Sequence, residues 1–222
     1  MILLFYLTLI KHMVTDISTI IILCGGQSSR LKTSKLFLKL GSKTLIEYIV
    51  DKVKKYFKNI FIIVKNTEDA ERIRVFLKNV KILDDTVKDQ QAPILGLLTA
   101  VEKVNESVFF ALSCDTPLVD LNVADILIKS LGDHNAVIPR WPNGFIEPLF
   151  AVYRTEALGK SIREVLSEGR FDLTSVISKL SKVLYVSTMV IEKFNPDLDC
   201  FLNINTPVEY EKCVRKIKKT LF

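Results

Sequence analysis

TIIILCGGQSSRLKTSK, residues 19–35, decides how this chain folds and where its chemistry falls. Thr19 to Leu23 is β-branched or apolar throughout, the pattern of a parallel strand covered on both faces. Two of the chain's eight glycines follow side by side, and Arg30, Lys32 and Lys35 then bring three cations within six residues. Glycines allow a tight turn and leave backbone N–H groups open to anionic oxygens, while Arg30 and Lys35 can neutralise several negative charges at once. On physical grounds the stretch reads as a phosphate cradle at a strand end. A plain glycine turn with solvated bases is the competing reading. The spacing matches neither G-x-G-x-x-G nor G-x-x-x-x-G-K-[ST], so neither a dinucleotide site nor a P-loop is indicated.

Working outward, apolar Leu45, Ile46, Ile49, Val50, Val53 and Phe57 recur at helical spacing, opposite Glu47, Asp51, Lys52, Lys54 and Lys55. Strand followed by helix opens a βαβ unit, and the alternation continues. Strands are predicted at 60–64, 80–83 and 108–112, and helices at 69–77, 94–104 and 123–131. Four such cycles predict a single doubly wound, mostly parallel α/β sheet flanked by helices. Beyond residue 135 the pattern becomes irregular. Strands at 136–138 and 148–153 flank the loop beginning Arg140-Trp141-Pro142-Asn143-Gly144, then come helices at 157–166 and 173–180 and a strand at 184–186. Thr206-Pro207-Val208-Glu209 predicts a capping box opening a final helix, with Tyr210, Val214, Ile217 and Leu221 as its apolar stripe.

Composition narrows the function classes. The chain has 222 residues, 49% of them hydrophobic, enough for one sizeable core and one domain. The net charge of +6 is spread over many segments, which favours a small anionic substrate over a nucleic-acid groove. Cys24, Cys114, Cys200 and Cys213 form no C-x-x-C pair, and His12 and His134 are far apart, which argues against a zinc site or a disulfide framework. Cys24 and Cys114 are expected to act as small buried apolar residues in a reducing, cytoplasmic setting. The opening MILLFYLTLI lacks a basic flank and is too short to span a bilayer, so no membrane partner is expected. Residues 1–16 are read as an extension before a domain at 17–222, with Met13 the expected start of the native protein instead of Met1.

In open α/β sheets ligands gather outside the carboxyl ends of the strands. Asp115 closes the 108–112 strand and is the natural ligand for a hard cation such as Mg²⁺; an Asx turn ahead of Pro117 is the alternative. Asp84 and Asp85 follow the 80–83 strand, where a carboxylate can accept from a ribose or a base, and Gly96 lets a nucleoside approach the next helix. Turn formation explains that pair equally well. Asn205, ahead of the capped final helix, offers an amide to a metal or a phosphate, or does local turn work. Two dispersed histidines support no activated-nucleophile hydrolysis.

These clusters, in order and spacing, resemble the molybdenum cofactor guanylyltransferases of the nucleotidyltransferase superfamily. The family opening L-A-G-G-x-S-x-R-M-G-x-D-K stands here as L-C-G-G-Q-S-S-R-L-K-T-S-K. The later landmarks are Asp85 to Gly96, Cys114 to Pro117, Glu147 to Ala151 and Asn203 to Pro207, so the resemblance covers about residues 18–220. It implies a Rossmann-like nucleotidyltransferase fold and transfer of GMP from GTP to the terminal phosphate of molybdopterin or Mo-molybdopterin, releasing pyrophosphate. By the same resemblance Gly25, Gly26, Ser28, Arg30 and Lys35 bind the triphosphate, Leu23 presents its backbone to the guanine, and Asp85 lies beside the nucleoside. Asp115 holds Mg²⁺, and Arg30, Lys35 and Asp115 carry the catalysis. Asn205 sits near the metal or the acceptor with Asn203 close by, Glu147 and Pro148 with the loop from Arg140 shape the pterin side, and a molybdoenzyme or cofactor-delivery protein is the implied recipient.

Four positions depart from the family opening: Cys24 for alanine, Leu31 for methionine, Lys32 for glycine and Ser34 for aspartate. The last two remove a site of close backbone approach and a partner for the neighbouring bases. The rival readings are a molybdopterin cytidylyltransferase, another nucleotidyltransferase acting on a phosphorylated cofactor precursor, and a non-catalytic carrier of nucleotide or cofactor.

Overall fold

The computed structural model describes residues 17–24, 34–84 and 92–221. Residues 1–16, Gly25, Gly26, Ser28, Arg30, Lys32 and Asp85 lie outside them. The strands are β1 (Thr19–Cys24), β2 (Lys39–Leu40), β3 (Lys43–Thr44), β4 (Asn59–Val64), β5 (Lys81–Asp84), β6 (Val108–Ser113), β7 (Ala136–Arg140), β8 (Phe150–Arg154) and β9 (Val183–Ser187). Seven of them form one sheet in the order β5-β4-β1-β6-β8-β7-β9, and β2 and β3 make a separate antiparallel pair.

Every residue of β1 is buried, as expected of a strand with parallel neighbours on both edges and helices on both faces. Only β8 runs against the others, pairing antiparallel with β6 and β7. The physical reason is the link between β7 and β8, residues 141–149, which is shorter than the dozen or so residues a parallel crossover needs.

The core lies in two layers. On one face Ile20, Ile22, Phe110 and Leu112 pack with Leu45, Ile49, Ile73, Val123 and Leu127, from the helices Leu45–Val53, Thr67–Phe76 and Leu121–Lys129. Cys213 and Ile217 bring the final helix, Pro207–Leu221, onto that same face. On the other face Ile21, Leu23, Phe109 and Ala111 pack with Ile94, Leu97, Leu158, Ile162 and Val176, from Pro93–Lys103, Thr155–Ser167 and Leu173–Lys179. The sheet is doubly wound, as the alternation predicts.

Two capping boxes set helix entries. The Thr206 hydroxyl accepts from the Glu209 N–H at 3.3 Å and the Glu209 carboxylate accepts from the Thr206 N–H at 2.8 Å. Thr44 and Glu47 repeat the arrangement where β3 runs into the helix Leu45–Val53. Such caps stabilise a helix by roughly 1 kcal/mol each.

The chain runs from β1 outward to β4 and β5, then returns to β6 on the other edge of β1. This reversal opens a crevice beyond the carboxyl ends of β1 and β6, the place where open α/β sheets bind ligands. Among the described residues no helix is long and apolar enough to cross a membrane.

Candidate active site

The crevice takes its floor from the last residues of β1 and β6. The Cys114 N–H donates to the Leu23 carbonyl at 3.0 Å, one step past the last register pair, Leu23 with Ser113. This bond holds Asp115 directly beyond the end of β1. On the far side of β1, a Cβ added at Gly96 would lie 2.8 Å from Leu23 Cδ2, so the space that glycine frees is occupied by the leucine side chain.

Lys35 begins a single 3-10 turn, Lys35–Phe37, and reaches across the crevice. Its ammonium donates to Asn205 Oδ1 at 2.7 Å and stands 3.5 Å from Asp115 Oδ2. The Lys35 and Asp115 side chains are only 12% and 21% exposed, so their charges are poorly screened by solvent. Lysine can only donate, which fixes the Asn205 amide oxygen toward it.

The segment ahead of the final helix is bound to Asp115 through its backbone, the Ile204 N–H donating to the Asp115 carbonyl at 2.8 Å. The Thr116 hydroxyl, almost wholly buried, donates to Asn203 Oδ1 at 2.8 Å and lies 3.4 Å from Asp115 Oδ1. Glu209 completes the scaffold by accepting from the Asn205 N–H at 2.7 Å. Lys35, Asp115, Asn203 and Asn205, distant in sequence, thus converge.

Asp115 borders two cavities. One of about 30 Å³ is lined by Cys24, Ser34, Lys35, Ser113 and Cys114. The other, about 190 Å³, is lined by Thr116, Glu147, Pro148, Leu149 and Asn203 among others. A larger groove, about 960 Å³, lies at the opposite end of the sheet beside Ser107 and Arg154; it is far from these groups, and its size does not make it the reactive centre.

Behind the wall of the 190 Å³ cavity the Trp141 indole N–H donates to Oε1 of Glu147, a lining residue, at 2.7 Å. Burial pushes the Glu147 carboxyl up from the usual glutamate range; the Trp141 bond opposes that rise and the nearby Asp115 carboxylate adds to it. The Trp141 ring packs edge-on against Phe201, which also meets Phe150, so the wall carrying Glu147 is braced by aromatic contacts.

Of the sequence candidates, Lys35, Asp115, Asn203, Asn205, Glu147 and Pro148 come together around the crevice, while Leu23 and Gly96 pack beneath it. Gly25, Gly26, Ser28, Arg30 and Asp85 lie outside the described residues. Two residues near the site were not anticipated, Thr116 and Asp69; Trp141 lies in the loop from Arg140 that the family resemblance assigns to the pterin side. The Ser34 hydroxyl donates to Asp69 Oδ2 at 3.2 Å, so a carboxylate from the helix Thr67–Phe76 stands near the position where the family opening carries its own aspartate. A polar residue two or three places from a strand end was the available signal for Thr116, and nothing in the local sequence marked Asp69.

Comparisons with known proteins give the family of the chain. The molybdenum cofactor guanylyltransferase of Desulfosudis oleivorans is 31% identical over 205 residues, covering 91% of this chain and 97% of that protein. A protein of Methanocaldococcus jannaschii named "Probable molybdenum cofactor guanylyltransferase" is 30% identical over 203 residues, 87% of this chain and 96% of that one. The crystal structure of molybdopterin-guanine dinucleotide biosynthesis protein A from Archaeoglobus fulgidus shares the fold, with a TM-score of 0.78 at 23% identity over 90% of this chain and 99% of that chain. Residues 20–183 match the MobA-like NTP transferase domain, and the chain belongs to that nucleotidyltransferase family.

Proposed function

We propose that this nucleotidyltransferase moves GMP from GTP to the terminal phosphate of molybdopterin and releases pyrophosphate. The observation that carries the reading is the convergence of Lys35, Asp115 and Asn205 at the strand-order reversal, in a chain whose relatives are named molybdenum cofactor guanylyltransferases.

In the reaction an oxygen of the acceptor phosphate forms a bond to the α-phosphorus of GTP. The bond from that phosphorus to the bridging oxygen breaks, and its electron pair leaves with pyrophosphate. The nucleophile is already an anion, so no general base is required; the barrier is repulsion between two highly charged partners. Lys35 offers a fixed, poorly screened positive charge between them, where such preorganised groups act most strongly. By the family resemblance Gly25, Gly26, Ser28 and Arg30 extend that cradle, and Leu23, Asp85 and Gly96 border the nucleoside. Thr116 holds Asn203, and Lys35 holds Asn205, each by a hydrogen bond to its amide oxygen, and both amides are assigned to the acceptor side. The 190 Å³ cavity with Glu147 and Pro148 is assigned to the pterin side.

The donor set suits Mg²⁺. Among the described residues no three His, Cys, Asp or Glu side chains cluster as metal ligands, and Mg²⁺ commonly takes one or two carboxylates with phosphate oxygens and water as the rest. Asp115 would hold the ion, which when bound supplies charge neutralisation at the phosphates. The test is Asp115→Asn, expected to abolish Mg²⁺-dependent pyrophosphate release while circular dichroism and thermal melting stay close to wild type. Wild-type protein that binds GTP and molybdopterin yet releases no pyrophosphate would replace this reading with that of a carrier.

A further inference from the structure

Cys24 and Cys114 have no part in the proposed reaction, yet they sit at its base. Along β1 the residues Ile20, Ile22 and Cys24 belong to one core layer, and Phe110 and Leu112 of β6 belong to the same one with Cys114, the residue just past that strand. The two cysteines follow directly on the register pair Leu23 with Ser113, Cys24 as the last residue of β1 and Cys114 one residue beyond β6, where its N–H still donates to the Leu23 carbonyl, so they are side-by-side neighbours at the ends of adjacent parallel strands. Both line the 30 Å³ cavity that also holds Lys35 and Asp115. Strands of one sheet lie about 4.8 Å apart, inside the Cα separation of roughly 4.4–6.8 Å that a disulfide spans.

We propose that Cys24 and Cys114 form a reversible disulfide that switches the site off. The other two cysteines, Cys200 and Cys213, lie away from this cavity and are also buried as free thiols. Alanine, which the family opening carries where this chain has Cys24, would leave Cys114 without a partner, so the device belongs to this chain's own sequence.

The oxidant class is a small hydroperoxide. The two thiols give up two protons and two electrons, an S–S bond forms, the O–O bond of hydrogen peroxide breaks, and two waters leave. A small reagent is needed because each cysteine is less than a tenth exposed. Forming the bond brings the Cβ atoms to about 3.8 Å, a closure of roughly 1 Å between the ends of β1 and β6. Cys114 adjoins Asp115, and a displacement of that size at reacting groups can cost about a hundredfold in rate.

The cross-link rests on geometry alone; its consequence for rate rests on the proposed reaction, and the test reads the two separately. Full-length protein is treated with hydrogen peroxide, its thiols are counted after denaturation, and its peptides are mapped. Wild type should fall from four free thiols to two with a Cys24–Cys114 linked peptide pair, and dithiothreitol should restore all four. Pyrophosphate release should drop about tenfold or more and return with the thiols. Cys24→Ala should keep its three thiols and its rate; Cys114→Ser serves as the second variant if the first folds poorly. Retention of four thiols in wild type, or a linkage through Cys200 or Cys213, overturns the cross-link. A confirmed linkage with undiminished pyrophosphate release overturns the switch. If reduced wild type shows no release at all, the reading of the reaction fails while the thiol count still decides the cross-link.

Discussion

Replacing Lys35 with methionine keeps most of the side chain's length and removes only its charge and its hydrogen-bond donor. At 3.5 Å from Asp115, in an effective dielectric near 20, the attraction is about 5 kcal/mol before desolvation. Most of that is offset by the cost of holding both charges away from water, and Asp115 retains enough exposure to rehydrate. Losing the bond to Asn205 costs roughly 1 kcal/mol more. The net stability loss is therefore expected to be ~1–2 kcal/mol, well below the ~5–15 kcal/mol that folds a typical domain. Catalysis should suffer more. A preorganised charge at a developing anion contributes about 10²–10³ in rate, so pyrophosphate release should fall by that factor in protein that is still folded. The assay pairs urea unfolding with initial rates of pyrophosphate release from Mg²⁺, GTP and molybdopterin. A rate loss below tenfold, or one that follows the folded fraction, would refute the reasoning.

Two further substitutions address the scaffold and the acceptor wall. Gly96→Ala places a Cβ 2.8 Å from Leu23 Cδ2 and should destabilise the protein by ~1–3 kcal/mol through overpacking, read as a lower urea midpoint at unchanged slope; an unshifted midpoint would show that Leu23 moves freely. Glu147 has a native pKa above its unfolded value, so the stability it contributes is complete at low pH and is lost as pH rises from the ordinary glutamate value, about 4.3, through the raised native one. Glu147→Gln, which keeps an acceptor for Trp141, should therefore gain melting temperature relative to wild type toward neutral pH. Parallel melting curves for the two proteins across that range would contradict the burial argument.

How much of this was legible in the sequence varies by element. The buried strands announced themselves as runs of β-branched and aromatic residues such as Ile20 to Ile22 and Phe109 to Phe110, because a strand covered on both faces has no polar positions to confuse the pattern. Thr206-Pro207-Val208-Glu209 was equally plain, since its bonds join residues within one turn. The short β2–β3 pair was missed; two-residue strands leave no periodicity to count. So was the helix Thr188–Ile191, a single turn. In the site, Lys35, Asp115 and Asn205 could be nominated because each follows or faces a strand end. Their mutual distances could not be known, and neither could the bonds from Thr116 to Asn203 or from Trp141 to Glu147. Those depend on how β6, the 141–149 link and the 203–205 segment meet in space. Ser34 shows the limit most clearly: the lost aspartate was visible, and the Asp69 carboxylate that stands beside the serine came from 35 residues away.

The proposed reaction transfers a guanylyl group to a phosphorylated pterin. An equimolar mixture of the four nucleoside triphosphates with Mg²⁺, molybdopterin and wild-type protein, followed by mass spectrometry of the products, tests it most directly. Molybdopterin carrying GMP is expected as the dominant adduct, with stoichiometric pyrophosphate. A dominant CMP adduct, or pyrophosphate formed with no nucleotide joined to the pterin, would contradict it.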